Sequence, residues 1–299
     1  STYPLVAHKG DENAQRGARI YLMTLLGTSI GFFLVAIIWT GVVAGSLDFM
    51  PGGLLSQVEG LQPIIASVLL LLFAFGVGKA ALMPFHFWLP NAMVAPTPVS
   101  ALLHAVAVVK AGVFTILKIA VYIFGEDLLN RTAAQDIVIA VACFTIIVSS
   151  LIALTKDNLK ARLAYSTVSQ LAYVTLAAML ANAHAFLGGA LQITAHAAGK
   201  ITLFMCAGAI YVATGLTNIS DMRGLGKRMP LVFIAFLIAS LSLIGIPPLA
   251  GDWMKYELLL GASQAGYGYV PYVLIVSVLL NVAYLLPIPI LALMAPRGT

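Results

Sequence analysis

Charge is what this sequence has least of. Lysine, arginine, aspartate and glutamate together make up 9% of its 299 residues, against about 25% in a soluble domain. So few charges cannot cover the surface of a water-soluble fold of this size. Cysteine is almost missing too. Cys143 and Cys206 are the two present, each inside an apolar run and in no metal-like spacing. They read as small buried hydrophobes. No nucleophile–histidine–acid arrangement, phosphate loop, Cys/His metal spacing or cofactor motif occurs. No catalytic residue, metal, cofactor or redox centre is therefore expected within the chain. Alternating segments of about ten residues, the mark of a membrane β-barrel, are also absent.

What is present is apolar length. Hydrophobic residues reach 61%, and runs of about 20 recur from end to end, each long enough to span a bilayer. The expected fold is an all-α polytopic membrane protein with the lipid bilayer as solvent. Eight spans are expected, at about 20–45, 63–88, 98–124, 133–154, 161–181, 185–214, 229–262 and 270–294. The chain reads as one transmembrane domain over 1–299. Residue 1 is a serine, and STYPLVA resembles the tail of a helix, so a fragment of a longer subunit is expected.

The basic residues orient these spans. Lys9, Arg16, Arg19, Lys156, Lys160, Arg162, Arg223, Lys227, Arg228 and Arg297 fall on one side, and Arg131 alone on the other. The rich side is expected to be cytoplasmic, with both ends of the chain on it. The net charge of +5 thus orients a membrane protein and is no nucleic-acid footprint. The five remaining basic residues, Lys79, Lys110, Lys118, Lys200 and Lys255, fall within spans.

Two spans carry Gly/Pro interruptions. The second breaks near Gly76, Gly78 and Pro84, with Lys79 at the break, inside a first broken-helix region over 63–124. The seventh, 229–262, breaks at Gly245, Pro247 and Pro248 and is followed by Lys255. Being five spans apart, the two run in opposite directions. Inverted repeats with a broken helix in each half are a transporter pattern, and the breaks mark its site.

Charge inside a span costs about 2.5–3.5 kcal/mol per group on insertion scales and asks for a use. Lys79 lies about nine residues from the end of its span, which fits snorkelling poorly, so a partly buried functional lysine is expected. Gln192, His196 and Lys200 stand at i, i+4 and i+8 on one helix face. That stripe is either a proton relay or a hydrogen-bonding seam. His104 and Lys110, about 240° apart around a helix, share no face, and His104 is equally a packing residue. Lys118 is expected to snorkel. Ser166, Gln170 and Tyr173 share a face and either carry water or join helices. Asp252 and Lys255 are spaced to pair, with Glu257 beside them. Asp136, His86 and Trp88 are expected near an interface.

The stretches GKAALMPFHFWLPNAMVAPTPVSALLHAVAVVKAGVF, KARLAYSTVSQLAY, TAHAAGKITLFMCAGAIYVATG and GLGKRMPLVFIAFLIASLSLIGIPPLAG resemble the antiporter-like membrane subunits. These are shared by respiratory complex I, membrane-bound hydrogenases and Mrp-type cation/proton antiporters. Within that family STYPLVAHKG, HAAGKITLF and LLNVAYLLPI are most similar to the D-type Mrp subunit. The resemblance implies a mid-membrane row of lysines and histidines that passes protons. Lys79 falls on the broken-helix lysine, His104 and Lys110 on the next helix, Lys200 on the central lysine with His196 one turn before it, and Lys255 on the terminal lysine. It also implies partner membrane subunits and Na+ as the exchanged cation. Two departures stand out. The glutamate that partners the family's broken-helix lysine would precede residue 1, and Asp252 replaces a usually neutral residue. Alternative readings are a proton-pumping subunit of a complex I-like oxidoreductase or membrane-bound hydrogenase, a membrane subunit of an inorganic-carbon uptake complex, or an inert scaffold.

Overall fold

The computed structural model describes residues 2–294, and among these no strand occurs. Arg297, one of the basic residues that orient the spans, lies outside the described residues. Among the described residues, six helices are long and apolar enough to cross a membrane. They are α1 (Glu12–Ala44), α3 (Thr97–Phe124), α4 (Ala134–Thr155), α5 (Leu159–Leu180), α6 (Ala183–Thr214) and α9 (Val270–Met294). Between them lie the shorter helices α2 (Pro63–Gly76), α7 (Pro230–Ile244) and α8 (Ala250–Gln264). The protein is an all-α, multi-pass membrane protein.

Helix α5 is the hub. Of its most apolar 18-residue stretch 94% is buried, although that stretch is the least hydrophobic of the six. The two facts belong together, because a helix surrounded by protein can carry Ser166, Thr167, Ser169, Gln170 and Thr175 that lipid would not accept. Helices α4 and α6 both pack along it. Small residues allow close approach. A Cβ on Gly261 of α8 would come within 2.6 Å of the Ala185 amide of α6.

Both expected interruptions appear as gaps in the helical ladder. Helix α2 ends at Gly76, and the chain turns through a short 3₁₀ segment, Gly78–Ala80. That turn is clamped by backbone. A Cβ on Gly112 of α3 would sit 2.5 Å from the Ala80 amide, and one on Gly78 would strike the Thr28 hydroxyl of α1. The Trp88 indole donates to the Gly78 carbonyl at 2.9 Å. Trp88 is fully buried, and its N–H is used at the break. His86 is half-buried against Tyr165, ring centroids 6.5 Å apart. Helix α7 ends on Gly245 at φ +89°, a left-handed conformation that favours glycine.

Candidate functional site: a buried row of amines and imidazoles

Helix α6 supplies the middle of the site. Gln192, His196 and Lys200 are all buried and face α3 and α5. From α3, Lys110 reaches across so that its Nζ lies 2.6 Å from His196 Nδ1. Two protonated groups cannot share that distance, since each would point a proton at the other. One proton lies between them, with Lys110 donating to a neutral Nδ1 or the reverse. The neutral tautomer accepting from Lys110 carries its own hydrogen on Nε2, an atom with no protein partner among the described residues.

Lys200, fully buried, donates to the Leu163 carbonyl at 3.0 Å and to Ser166 Oγ at 2.6 Å, both on α5. Further along the same two helices, Gln192 donates to Gln170 Oε1 at 2.7 Å. His104 is fully buried, its ring 5.2 Å from that of Phe204. His104, Lys110 and Lys200 all lie within electrostatic reach of His196. The sequence places His104 and Lys110 on different faces of α3, yet both are buried beside α6. A π-helical stretch, Leu102–Val106, changes the register between them. Two amines and two imidazoles thus share one region, and none of these contacts is with a carboxylate. Two unit charges 4 Å apart interact by about 4 kcal/mol at an effective dielectric of 20. Full protonation of the group is therefore self-opposed, and a proton added at one member displaces one at another.

Lys255 closes the row at the second break. Its ammonium donates to the Leu243 carbonyl at 3.1 Å and to the Ile244 carbonyl. These are end carbonyls of α7, where the helix dipole favours a cation. The ring of Tyr173 lies 5.8 Å from the same nitrogen.

Several residues behave differently from expectation. Lys79 is exposed rather than partly buried, because the turn that carries it is packed through its backbone. Asp252 and Lys255 form no ion pair, since the carbonyls of α7 take the ammonium. Glu257 is buried and bonds His184 Nδ1 at 2.7 Å, so it does not join Lys255. Lys118 lies over the Phe49 ring, 3.9 Å from its centroid, in a cation–π contact. Asp136 accepts from the Tyr267 hydroxyl at 2.5 Å.

Helix α9 carries a polar stripe beyond those expected from the sequence. Ser277, Asn281 and Tyr284 are each fully buried. The Tyr284 hydroxyl bonds Asn281 and faces Ser166, Ser150 and Gln170. Tyr173 faces Ser277. A polar line therefore runs from Lys200 through Ser166, Tyr284 and Gln170 to Tyr173 and Lys255. The spacing 277, 281, 284 is the same one-face signal that marked the stripe on α6, and it was available in the sequence.

The architecture has solved counterparts. A chain of the membrane-bound sulfane sulfur reductase, an archaeal respiratory membrane complex, superposes with a TM-score of 0.86 at 26% identity, over 100% of this chain and 62% of that one. A chain of the Mrp complex from Dietzia sp. DQ12-45-1b gives 0.80 at 27% identity, over 98% of this chain and 34% of that one. Among sequences, NADH-quinone oxidoreductase subunit N of Desulforudis audaxviator is 33% identical over 287 residues, 95% of this chain and 56% of that protein. The chain thus spans little more than half the length of this relative. The transmembrane profile described as "NADH:quinone oxidoreductase/Mrp antiporter, TM" matches residues 1–282. With six membrane-length helices, two interrupted ones and a match over nearly its whole length, the chain belongs to the NADH:quinone oxidoreductase/Mrp antiporter transmembrane family.

Proposed function

We propose that this chain passes protons along its buried row, as an antiporter-like membrane subunit of a multi-subunit cation/proton antiporter. The observation that carries the reading is the 2.6 Å contact between Lys110 Nζ and His196 Nδ1, with Lys200 one helical turn further along. A single proton held between two bases, next to a third base, is the elementary unit of a relay. Lys79 loads the row from outside the bundle, with its backbone against Gly112 of α3. His104 tunes the pair electrostatically, and Lys255 discharges the row at the second break. The region 63–124 and the helix 229–262 then form the two halves of one conduit within a single transmembrane domain.

The likeness to a chain of an Mrp complex supports partner membrane subunits, and Na+ is the cation that this reading assigns to the exchange. The excess of basic residues at one end of the bundle supports a plasma-membrane orientation with both ends of the chain cytoplasmic. A second reading, in which redox chemistry in neighbouring subunits drives the row, is favoured by the 33% identity to a quinone oxidoreductase subunit. Iron–sulfur or quinone-binding subunits co-purifying with the chain would decide for it.

The test is proton uptake into vesicles reconstituted with the protein and its co-purifying subunits. Lys110→Ala and Lys200→Ala are expected to bring flux to the protein-free background. Wild-type flux from either variant overturns the relay.

A further inference from the structure

At the basic end of the bundle a cavity of about 570 Å³ opens between the start of α3, the start of α5 and the last turns of α6. This lies in the usual range of small-molecule sites, about 300–1,000 Å³. Two lysines face it. Lys160, on the first turn of α5, is held in place by the Met93 and Ala95 carbonyls at 3.0 and 2.7 Å. Lys9, exposed on the turn before α1, lines the same cavity, and the two charges are close enough to act on one another.

No carboxylate among the described residues lines this space, and the acids nearest in sequence are occupied elsewhere. Asp11 caps α1 through the Ala14 amide at 2.6 Å. Asp157 accepts from the Ser220 amide and hydroxyl at 3.1 and 2.7 Å. Two ammonium groups in one cavity therefore have no acidic side chain there to balance them.

The remaining wall is apolar and open. Met205, Tyr211 and Val212 of α6 line the cavity and are 49%, 51% and 87% exposed. An inorganic anion would use the lysines and ignore this surface. A molecule with an anionic head and hydrocarbon tails uses both. Paired cations at the basic end of a membrane bundle, above an apolar strip, make the arrangement that holds phosphate headgroups.

We propose that Lys9 and Lys160 bind the phosphate of an anionic phospholipid, whose acyl chains run down α6 over Met205 and Val212. Lys160 lies within electrostatic reach of His104, so the exposed Lys9 is the residue that tests this site apart from the proton row.

The experiment uses the intact protein, delipidated in a neutral maltoside detergent. It is titrated with dioctanoyl phosphatidylglycerol, dioctanoyl phosphatidylcholine or inorganic phosphate, and followed by native mass spectrometry and thermal melting. Phosphatidylglycerol is expected to bind saturably and raise the melting temperature, while the other two leave it unchanged. Lys9→Ala should weaken phosphatidylglycerol binding about fivefold, and Lys9→Glu more. Lys160→Ala also removes two bonds to backbone and is open to a folding defect. The exposed Lys9 variants therefore carry the decision. Equal binding of the two lipids, equal binding of inorganic phosphate, or unchanged affinity in Lys9→Glu each overturns the proposal.

Discussion

At the first break, Lys79 sits in the turn itself, just beyond Gly76, and its side chain ends outside the bundle. At the second, Lys255 comes eleven residues after Ile244, well inside the next helix, and folds back onto the carbonyls that the break exposes. The ingredients are the same in both: an apolar half-helix, glycine and proline, then a lysine. The difference is where the lysine falls relative to the turn. Side chains on a helix lean toward its N-terminus, so a lysine in the second turn of α8 points back at the break. A lysine within the turn has no such direction. A broken helix with a lysine is thus a single sequence device with two structural outcomes.

The sharpest way to break this comparison is to fill the second turn. A Cβ on Gly251 would collide with the Ser242 carbonyl, a backbone atom that cannot swing aside. Gly251→Ala is expected to cost about 3 kcal/mol, at the upper end of overpacking effects, read as loss of monodisperse protein on heating in detergent. Tolerance of alanine would mean that α7 and α8 are loosely joined and that the Lys255 contacts follow from no fixed geometry.

Removing the two lysines separates the breaks next. Lys255→Met leaves the Leu243 and Ile244 carbonyls without their shared donor, and such loss costs about 1–3 kcal/mol. Lys79→Met removes an exposed side chain that makes no hydrogen bond or ion pair among the described residues. It should stay within about 0.5 kcal/mol. Matched melting curves of the two variants test this, and equal destabilisation would show that Lys79 is anchored after all.

A smaller effect is expected on the line that joins Lys200 to the second break. Tyr284→Phe keeps the ring and deletes the hydroxyl that faces Ser166, Ser150 and Gln170. Proton flux should fall about tenfold, equivalent to about 1.4 kcal/mol, and the lost bond to the buried Asn281 should cost about 1 kcal/mol of stability without unfolding the protein. Unchanged flux from a folded Tyr284→Phe protein would remove α9 from the path while leaving the Lys110–His196 contact in place.

Much of this was legible in the sequence, for reasons that differ residue by residue. The spans and both breaks followed from apolar length and from glycine and proline, because lipid enforces helical backbone and punishes every exception. Gln192, His196 and Lys200 were readable because a polar stripe at i, i+4 and i+8 is costly on an apolar helix unless that face is turned toward protein or water. The exposure of Lys79 was not readable, since it depends on which helices clamp the turn around it. Nor was the pairing of Glu257 with His184, which lie 73 residues apart on α8 and α6, two helices that Gly188 and Gly261 allow to approach closely. The partner of the Trp88 indole was not readable either, since its N–H bonds the Gly78 carbonyl at the break.

The smallest effect concerns how the far end of α8 is held. Tyr267 follows that helix and donates to Asp136 of α4 at 2.5 Å. Partial burial, together with the bond to the carboxylate and its charge, holds the phenol above its ordinary value of 10. A group whose pKa is raised by folding contributes stability that is fully present below the unfolded value. That contribution disappears as pH climbs through the folded one. Wild type should therefore exceed Tyr267→Phe by a constant margin from about pH 7 to about pH 10, and the margin should vanish at higher pH. The residue is partly solvated, so the margin is small, about 1 °C in melting temperature. Absence of a margin at every pH would mean that ring packing, which Tyr267→Phe preserves, rather than the phenolic hydroxyl, fastens α8 to α4. The second break would then be held at its outer end by contacts indifferent to charge.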